Sequence, residues 1–313
     1  MTAEGGGDAG RGVAVRRAAV ILLTLDQKEK TLRCLASLAG VREPDFDTIV
    51  WDNGSTDGTV AAIREAFPGV RAHHHPSNLG VASGRNRGAR LAIEAYGSDF
   101  LLFLDNDMTV EPDFLAALAA PFADEPGLAQ TTPKIRMLGR PDHLYGAGGC
   151  RVDFAFARTN HVGYGEPDRG QYDRPVRCIP SGGCMLVKRS VFEELGGFDP
   201  VFDPYGPEDL DFGLRARRAG YHALYIPEAI VYHEPRPGRT AIGGGYSAAY
   251  ARNKARLWMV FMRRHATALD RLRFYLVGAP VGLLRRAWRE LRRGNLRAIG
   301  GLIRGAADSA LRR

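Results

Sequence analysis

Several acidic residues in this sequence stand where chemistry could use them. Asp105-Asn106-Asp107 closes the apolar run Phe100 to Leu104. Two carboxylates two residues apart at a strand end can share one divalent cation. Hard oxygen ligands suit Mg2+ or Mn2+, and such an ion neutralises a leaving diphosphate. Asp52 closes another apolar run, ahead of Asn53-Gly54-Ser55-Thr56-Asp57. A carboxylate there could accept hydrogen bonds from a base or a ribose. Asn53 and Gly54 suit a tight turn, and Ser55 or Asp57 suits a helix cap. Glu208-Asp209-Leu210-Asp211 follows Tyr205-Gly206-Pro207. Acids favour helix N-termini for electrostatic reasons alone. A carboxylate beside a second acid is also a general base of raised pKa, suited to deprotonating an acceptor hydroxyl. His233 ends a further apolar stretch and could complete a metal site. Asn78-Leu79-Gly80 and Arg85-Asn86 straddle a helix entry, where backbone N–H groups favour anions. His73, His74 and His75 look like a metal run, but strand neighbours point to opposite faces, so they are not read as ligands.

The elements that must position these residues follow from hydrophobic periodicity. Ala18 to Leu25 is a continuous apolar run, which suits a strand buried on both faces. Helical spacing over 28–38 and 59–67 alternates with strands over 48–52 and 70–74. A helix over 82–96 then precedes a strand over 100–104. Alternation of this kind predicts a Rossmann-like, mostly parallel sheet with helices on both faces. Ligands bind such sheets outside the carboxyl ends of the strands, where Asp52, Asn53, Asp105 and Asp107 lie. After about residue 140 the rhythm changes. The Gly-rich, aromatic stretch 146–165 suggests hairpins or a flap. Helices are expected over 187–195 and 208–219, and two short strands within 221–231. From Tyr246 the pattern is helical, with breaks near Gly278 to Pro280 and at Gly294. No internal repeat is found.

Composition excludes several classes. The chain has 313 residues, 25% charged and 45% apolar, which is globular rather than disordered or fibrous. Its longest apolar stretch, Phe274 to Leu284, is interrupted by Gly278, Pro280 and Gly282. It falls short of the ~20 residues a membrane-spanning helix needs. Cys34, Cys150, Cys178 and Cys184 form no CxxC pair, which argues against a zinc site or a disulfide framework. Reduced thiols favour the cytoplasm. Residues 1–17 read as a disordered leader. The apolar run after Arg17 is broken by Asp26-Gln27-Lys28 and lacks a cleavage site, so it is not read as an export signal.

Charge is unevenly placed. Residues 252–313 hold sixteen Lys/Arg against three acids, while residues 1–251 carry a net −5. A basic tail on an acidic body points to an anionic partner. Leu284, Ala287, Trp288 and Leu291 share one helical face; Ile299, Leu302, Ile303, Ala306 and Ala310 repeat the spacing. This pattern predicts interfacial amphipathic helices docked on the inner face of the membrane without spanning it. The competing expectation is that the stripes pack on the preceding domain or form a homodimer. Gly294, Gly300, Gly301 and Gly305 weaken isolated helices and would need tertiary support. No nucleic-acid partner is expected.

Taken in order, Val20-Ile-Leu-Leu-Thr-Leu, Trp51-Asp-Asn-Gly-Ser-Thr-Asp-Gly-Thr, Asn78-Leu-Gly, Phe103-Leu-Asp-Asn-Asp and Gly196-Gly-Phe-Asp…Pro207-Glu-Asp-Leu-Asp-Phe form a set. It resembles family 2 glycosyltransferases of the GT-A fold, in the style of bacterial rhamnosyltransferase-like members, over roughly residues 18–235. The resemblance implies an inverting transferase that uses a nucleoside-diphosphate sugar, a divalent metal and a hydroxyl acceptor: a glycan, a lipid-linked sugar or a natural product. It places Thr24, Asp52, Asn78, Arg85, Asp105 and Asp107 at the nucleotide sugar, with Asp105 and Asp107 as the acids of the DxD motif. It makes Asp209 the catalytic base, sets Glu208 and Tyr205 at the acceptor, and gives His233 to the metal with Asp107 and Asp105. Arg239 and Arg252-Asn253 would close over the diphosphate. Leu25-Asp26-Gln27 departs from the Asn-rich pattern of relatives. The implied domains are 18–245, with a nucleotide-binding half at 18–140 and an acceptor-binding half at 141–245, and a helical extension at 246–313. Two other readings compete: a sugar-nucleotide pyrophosphorylase-like nucleotidyltransferase, and a non-catalytic membrane- or nucleic-acid-binding module. The first lacks a Gly-rich basic loop after the first strand; the second leaves the strand-end acids unexplained.

Overall fold

The computed structural model describes residues 17–42, 44–180, 183–234 and 247–311. The expected leader, apart from its last residue, and Arg239 lie outside the described residues. The first half alternates as expected. It runs β1 (Ala18–Thr24), α1 (Lys28–Leu38), β2 (Phe46–Asp52), α2 (Thr59–Ala66), β3 (Arg71–His74), α3 (Val81–Tyr96), β4 (Phe100–Asp105), β5 (Met108–Val110) and α4 (Phe114–Ala119). Next come β6 (Leu128–Met137), β7 (Arg140–Gly146), the hairpin β8 (Cys150–Asp153) and β9 (Arg158–His161), and β10 (Val176–Arg177). β11 (Cys184–Lys188), α5 (Arg189–Glu194), α6 (Glu208–Arg218) and β12 (His222–His233) complete the sheet region. The extension holds α7 (Ala248–His265), α8 (Ala268–Arg273), a π-helical turn, α9 (Ala279–Leu291) and α10 (Leu296–Leu311).

The central sheet has the order β10-β12-β6-β11-β4-β1-β2-β3, with β5 on β12 and β7 on β6. The block β4-β1-β2-β3 is parallel. β11 runs antiparallel to both β4 and β6, so the sheet is mixed beyond this block. β1 is buried on both faces, as its unbroken apolar run requires. Val20 and Leu22 pack with Leu35, Leu38, Ile63 and Phe114 on one side. Ile21 packs with Ala89, Ala92, Phe103 and Phe212 on the other.

Two expectations change in the second half. Residues 187–195 are not all helix: Val187 and Lys188 finish β11, whose Met185, Leu186 and Val187 are fully buried. The two short strands expected within 221–231 are one strand, β12. Its register on β6 shifts between Ile226 and Ile230, around Pro227, which has no N–H to give a ladder. In the extension a further break falls at Ala266-Thr267, where Thr267 caps α8 by accepting from the Asp270 N–H at 3.1 Å.

Close approach of helices rests on small residues. A side chain at Gly84 would meet Leu23, and one at Gly88 would meet Ile21, so α3 lies directly against β1. At the other end of the chain, a side chain at Gly301 or Gly305 would run into the backbone of Ala248 or Arg252, so α10 lies directly against α7. Gly301 and Gly305, two of the glycines expected to weaken the helices here, are the ones that let α10 pack.

Candidate active site

The acids of Asp105-Asn106-Asp107 face one cleft because Asn106, between them, is pinned inward. It is buried and donates to the hydroxyl oxygens of Thr24 at 3.1 Å and Thr31 at 2.9 Å. Pairing of β5 with β12 sets Met108 opposite His233, which brings the imidazole beside Asp107. His233 Nε2 lies 3.5 Å from Asp107 Oδ1. Its Nδ1 contacts the Glu234 carbonyl oxygen at 2.7 Å. A proton held there leaves Nε2 as the ligating nitrogen. The ring stacks on Tyr145, with centroids 4.2 Å apart. One ligand atom from each of Asp105, Asp107 and His233 falls within 4.8 Å of the others, so the three could hold a metal ion. Two carboxylates with one imidazole form a mixed oxygen and nitrogen donor set for a divalent cation.

The opposite wall is the start of α6. Arg85, 5% exposed, ties the two walls together. It donates from Nη2 to Asp105 Oδ1 at 2.7 Å and from Nη1 to Glu208 Oε1 at 3.1 Å. Burial pushes the Glu208 carboxyl up, Asp209 beside it adds to the shift, and Arg85 opposes it. Asp209, half-buried, is also shifted upward, chiefly by burial, against the pull of Arg85. A carboxylate so placed takes a proton more readily than an exposed one.

Long-range hydrogen bonds hold these walls in register. Asp203, ahead of α6, caps the start of α3: its Oδ1 accepts from the Ala82 N–H at 2.9 Å and its Oδ2 from the Ser83 hydroxyl at 2.5 Å. Asn86 clamps the Gly197-Phe198 turn, donating to the Phe198 carbonyl at 2.7 Å and accepting from the Phe198 N–H at 2.9 Å. Sequence reasoning singled out Asn86 but did not find this role, and it missed Asp203, Asn106 and Tyr145. Only Asn106 left a signal, as the polar residue between two acids.

Thr24, Asn78, Arg85, Asp105, Asp107, Tyr205, Glu208, Asp209 and His233 all line one cleft of about 1250 Å³. Thr24 is 2% exposed and its hydroxyl contacts that of Thr31 at 2.8 Å. Asn78 accepts from the Gly80 N–H at 2.8 Å, shaping the entry to α3. Tyr205 stacks on Tyr250 with centroids 4.9 Å apart.

Asp52 is placed differently. Its carboxylate is fully buried, accepts from the Ser55 N–H at 3.1 Å, and contacts His74 Nδ1 at 2.6 Å. It closes the turn after β2 and is not among the residues facing the cleft. His73 and His75 stack on Trp51. None of the three histidines joins the Asp105–Asp107–His233 cluster. Arg252 pairs with Asp308 on α10.

The extension divides. Ala298 and Leu302 of α10 are buried against Ala251 and Ala255 of α7. Its packed face is therefore centred on Ala298, Gly301, Leu302 and Gly305, and Ile303, grouped with Leu302 from the sequence, is exposed. On α9 the expected apolar face is open: Leu284, Trp288 and Leu291 are 70%, 59% and 50% exposed. Among the described residues no helix is long and apolar enough to cross a membrane.

Residues 16–260 match the family described as glycosyltransferase like family 2. The chain is similar to the N-acetylglucosaminyl-diphospho-decaprenol L-rhamnosyltransferase of Mycobacterium tuberculosis. The two are 32% identical over 234 residues, 68% of this chain and 75% of the relative. Its fold is similar to that of GalNAc-T7, solved with UDP, GalNAc and Mn2+, at a TM-score of 0.62 and 19% identity; the match covers 79% of this chain and 48% of that one. It is also similar to the mannosyltransferase PcManGT from Pyrobaculum calidifontis, solved with GDP-Man and Mn2+, at a TM-score of 0.55 and 18% identity over 94% of this chain and 87% of that one. The fold is thus GT-A-like, and the chain belongs to glycosyltransferase family 2.

Proposed function

We propose that this family 2 glycosyltransferase is an inverting enzyme that moves a sugar from a nucleoside-diphosphate donor to an acceptor hydroxyl. One observation carries the reading. A possible metal site and a pair of raised-pKa carboxylates face each other across one cleft, joined by Arg85. Asp105, Asp107 and His233 would hold a divalent cation, which when bound neutralises charge on the departing diphosphate. Asp209 takes the proton from the acceptor hydroxyl, and that oxygen attacks the anomeric carbon from the face opposite the diphosphate. Arg85 fixes the spacing of the two walls and keeps Glu208 beside the base. Asn106 and His233 hold the metal-side residues in place, and Asp203 and Asn86 hold the base side. Asp52 acts at one remove, by fixing the turn after β2.

The test is release of nucleoside diphosphate from a panel of donor sugars with Mn2+ and an acceptor, with NMR of the product to read its anomeric configuration. We expect release that stops in chelator and in Asp107→Ala, and a linkage inverted relative to the donor. Full turnover in chelator removes the metal assignment, and a retained configuration removes the single displacement.

The open apolar face of α9, flanked by the exposed Arg285, Arg292 and Arg293, supports docking on an anionic membrane surface. This would bring the cleft to acceptors held at that surface.

A further inference from the structure

A second cavity, of about 970 Å³, plays no part in the mechanism above. Arg151, Val162 and Tyr172 line both it and the catalytic cleft, so the two share a wall. Around the cavity stand Arg151, Arg174, Arg177 and Arg217, all exposed. Among the described residues none of these four forms an ion pair with a carboxylate. The one acid in the lining, Asp173, is paired with Lys134, so four guanidinium groups around one opening make a site for phosphate, which arginine grips with paired N–H donors.

The lining also holds two orphaned polar atoms. Gln130 Oε1 and the Tyr225 hydroxyl are buried without a hydrogen-bond partner, in residues that are 0% and 1% exposed. The Gln130 amide nitrogen is spent on Met185 Sδ at 3.6 Å, which leaves its oxygen as an acceptor. Folded proteins rarely leave such groups unpaired, so each calls for an explanation. A ligand hydroxyl could donate to Gln130 Oε1 and accept from Tyr225. Hydroxyls deep in the cavity and phosphate at its rim together describe a sugar phosphate.

We infer that this cavity binds the phosphate-bearing part of the acceptor, a glycosyl phosphate or diphosphate, while the reacting hydroxyl reaches across the shared wall toward Asp209. The inference rests on the glycosyltransferase reading of the cleft.

Isothermal titration of the full chain in EDTA tests it, with glucose 1-phosphate, farnesyl diphosphate and unphosphorylated glucose as probes. The phosphorylated probes should bind and glucose should not. Tighter binding of glucose 1-phosphate points to a soluble acceptor, and tighter binding of farnesyl diphosphate to a lipid-linked one. The triple variant Arg174→Ala/Arg177→Ala/Arg217→Ala should bind at least tenfold more weakly. Its substitutions are on exposed residues, and circular dichroism checks that it folds. Tyr225→Phe removes an unpaired buried hydroxyl, so it should raise the melting temperature without ligand and shrink the shift that glucose 1-phosphate induces. Asp107→Ala should bind the probes as the parent does. The inference is overturned if neither phosphorylated probe binds, if the triple variant binds unchanged, if Tyr225→Phe responds as the parent does, or if binding vanishes in Asp107→Ala, since the probes would then sit at the donor site. UDP binding with Mn2+, measured on the same protein, reports separately on the glycosyltransferase reading.

Discussion

Glu208-Asp209 and Asp211 lie in the first turn of the same helix, yet they meet opposite surroundings. Asp211 is fully buried and accepts from Arg215 Nε at 2.8 Å and Arg264 Nη1 at 2.9 Å, and contacts His265 Nε2 at 2.7 Å. Burial alone would raise its carboxyl, but the hydrogen bonds from His265, Arg215 and Arg264 hold it down at about 2. Glu208 and Asp209 turn to the cleft, where burial pushes both up and the Arg85 guanidinium opposes the shift. The helix dipole acts on all three and would favour the charged form of each. The difference therefore comes from tertiary partners, two of which, Arg264 and His265, belong to α7. The C-terminal extension is part of the scaffold that holds this helix, and one run of acids divides into a pair that faces the cleft and a strut.

The largest expected effect falls on the reactive end. Asp209→Asn is nearly isosteric but cannot take a proton, so kcat should drop by ~10²- to 10⁴-fold. UDP binding with Mn2+ should persist. A loss of less than about tenfold would reduce Asp209 to a helix-terminal acid and erase its difference from Asp211.

At the other end the effect should fall on stability. Asp211→Asn breaks the buried ion pairs and should cost about 3–5 kcal/mol, because Arg215 and Arg264 lose their counter-charge. Urea unfolding measures this, with kcat per folded molecule little changed. A cost below about 1 kcal/mol would mean that the pairs hold nothing together.

The pH dependence separates the two ends by sign. Asp211 is held at about 2, below its ordinary 3.8, so its contribution is present above 3.8 and is lost as pH falls toward 2. That shift corresponds to about 2 kcal/mol. Glu208 is shifted the other way, so its contribution is present below its ordinary 4.5 and drains as pH rises through its folded value. Unfolding midpoints across pH should show a shallower acid limb in Asp211→Asn and a shallower neutral limb in Glu208→Gln. Parallel profiles for both variants would show that the two ends are electrostatically alike.

How much of this was legible depends on how local the cause is. The unbroken run at 18–25 suits a strand covered on both sides, and the strand-end acids at 105 and 107 mark the cleft. His233 is assigned beside these acids only through the resemblance, because its position is set by β-pairing with Met108 across the fold. Arg85 read as an anion-binding residue, whereas its buried partners are Asp105 and Glu208, the latter 123 residues away. Asp211 carried no visible signal at all, since its partners at 264 and 265 lie outside the motif. At Asp52 a strand-end acid reads the same whether it faces a ligand or closes its own turn, and its contacts with Ser55 and His74 become visible only in the fold.

A gentler version of the same lesson separates α9 from α10. Hydropathy ranks Ile303 above Ala298, but α10 buries Ala298, Gly301, Leu302 and Gly305, because small residues admit the α7 backbone. α9 has no such packing on the side of Leu284, Trp288 and Leu291, and the exposed Arg285, Arg292 and Arg293 flank that side. Each basic residue near an anionic bilayer adds ~1 kcal/mol of attraction, which salt screens. Trp288→Ser should therefore weaken sedimentation with anionic liposomes several-fold and leave the melting temperature within about 1–2 °C, since the ring contributes little to the core. Gly301→Leu should do the reverse, lowering the melting temperature by forcing α10 off α7 while sparing vesicle binding by α9. If the parent protein ignores anionic vesicles at low salt, the open face of α9 is not a membrane surface. Sedimentation equilibrium of the same preparation would then show whether a second copy of the chain covers it.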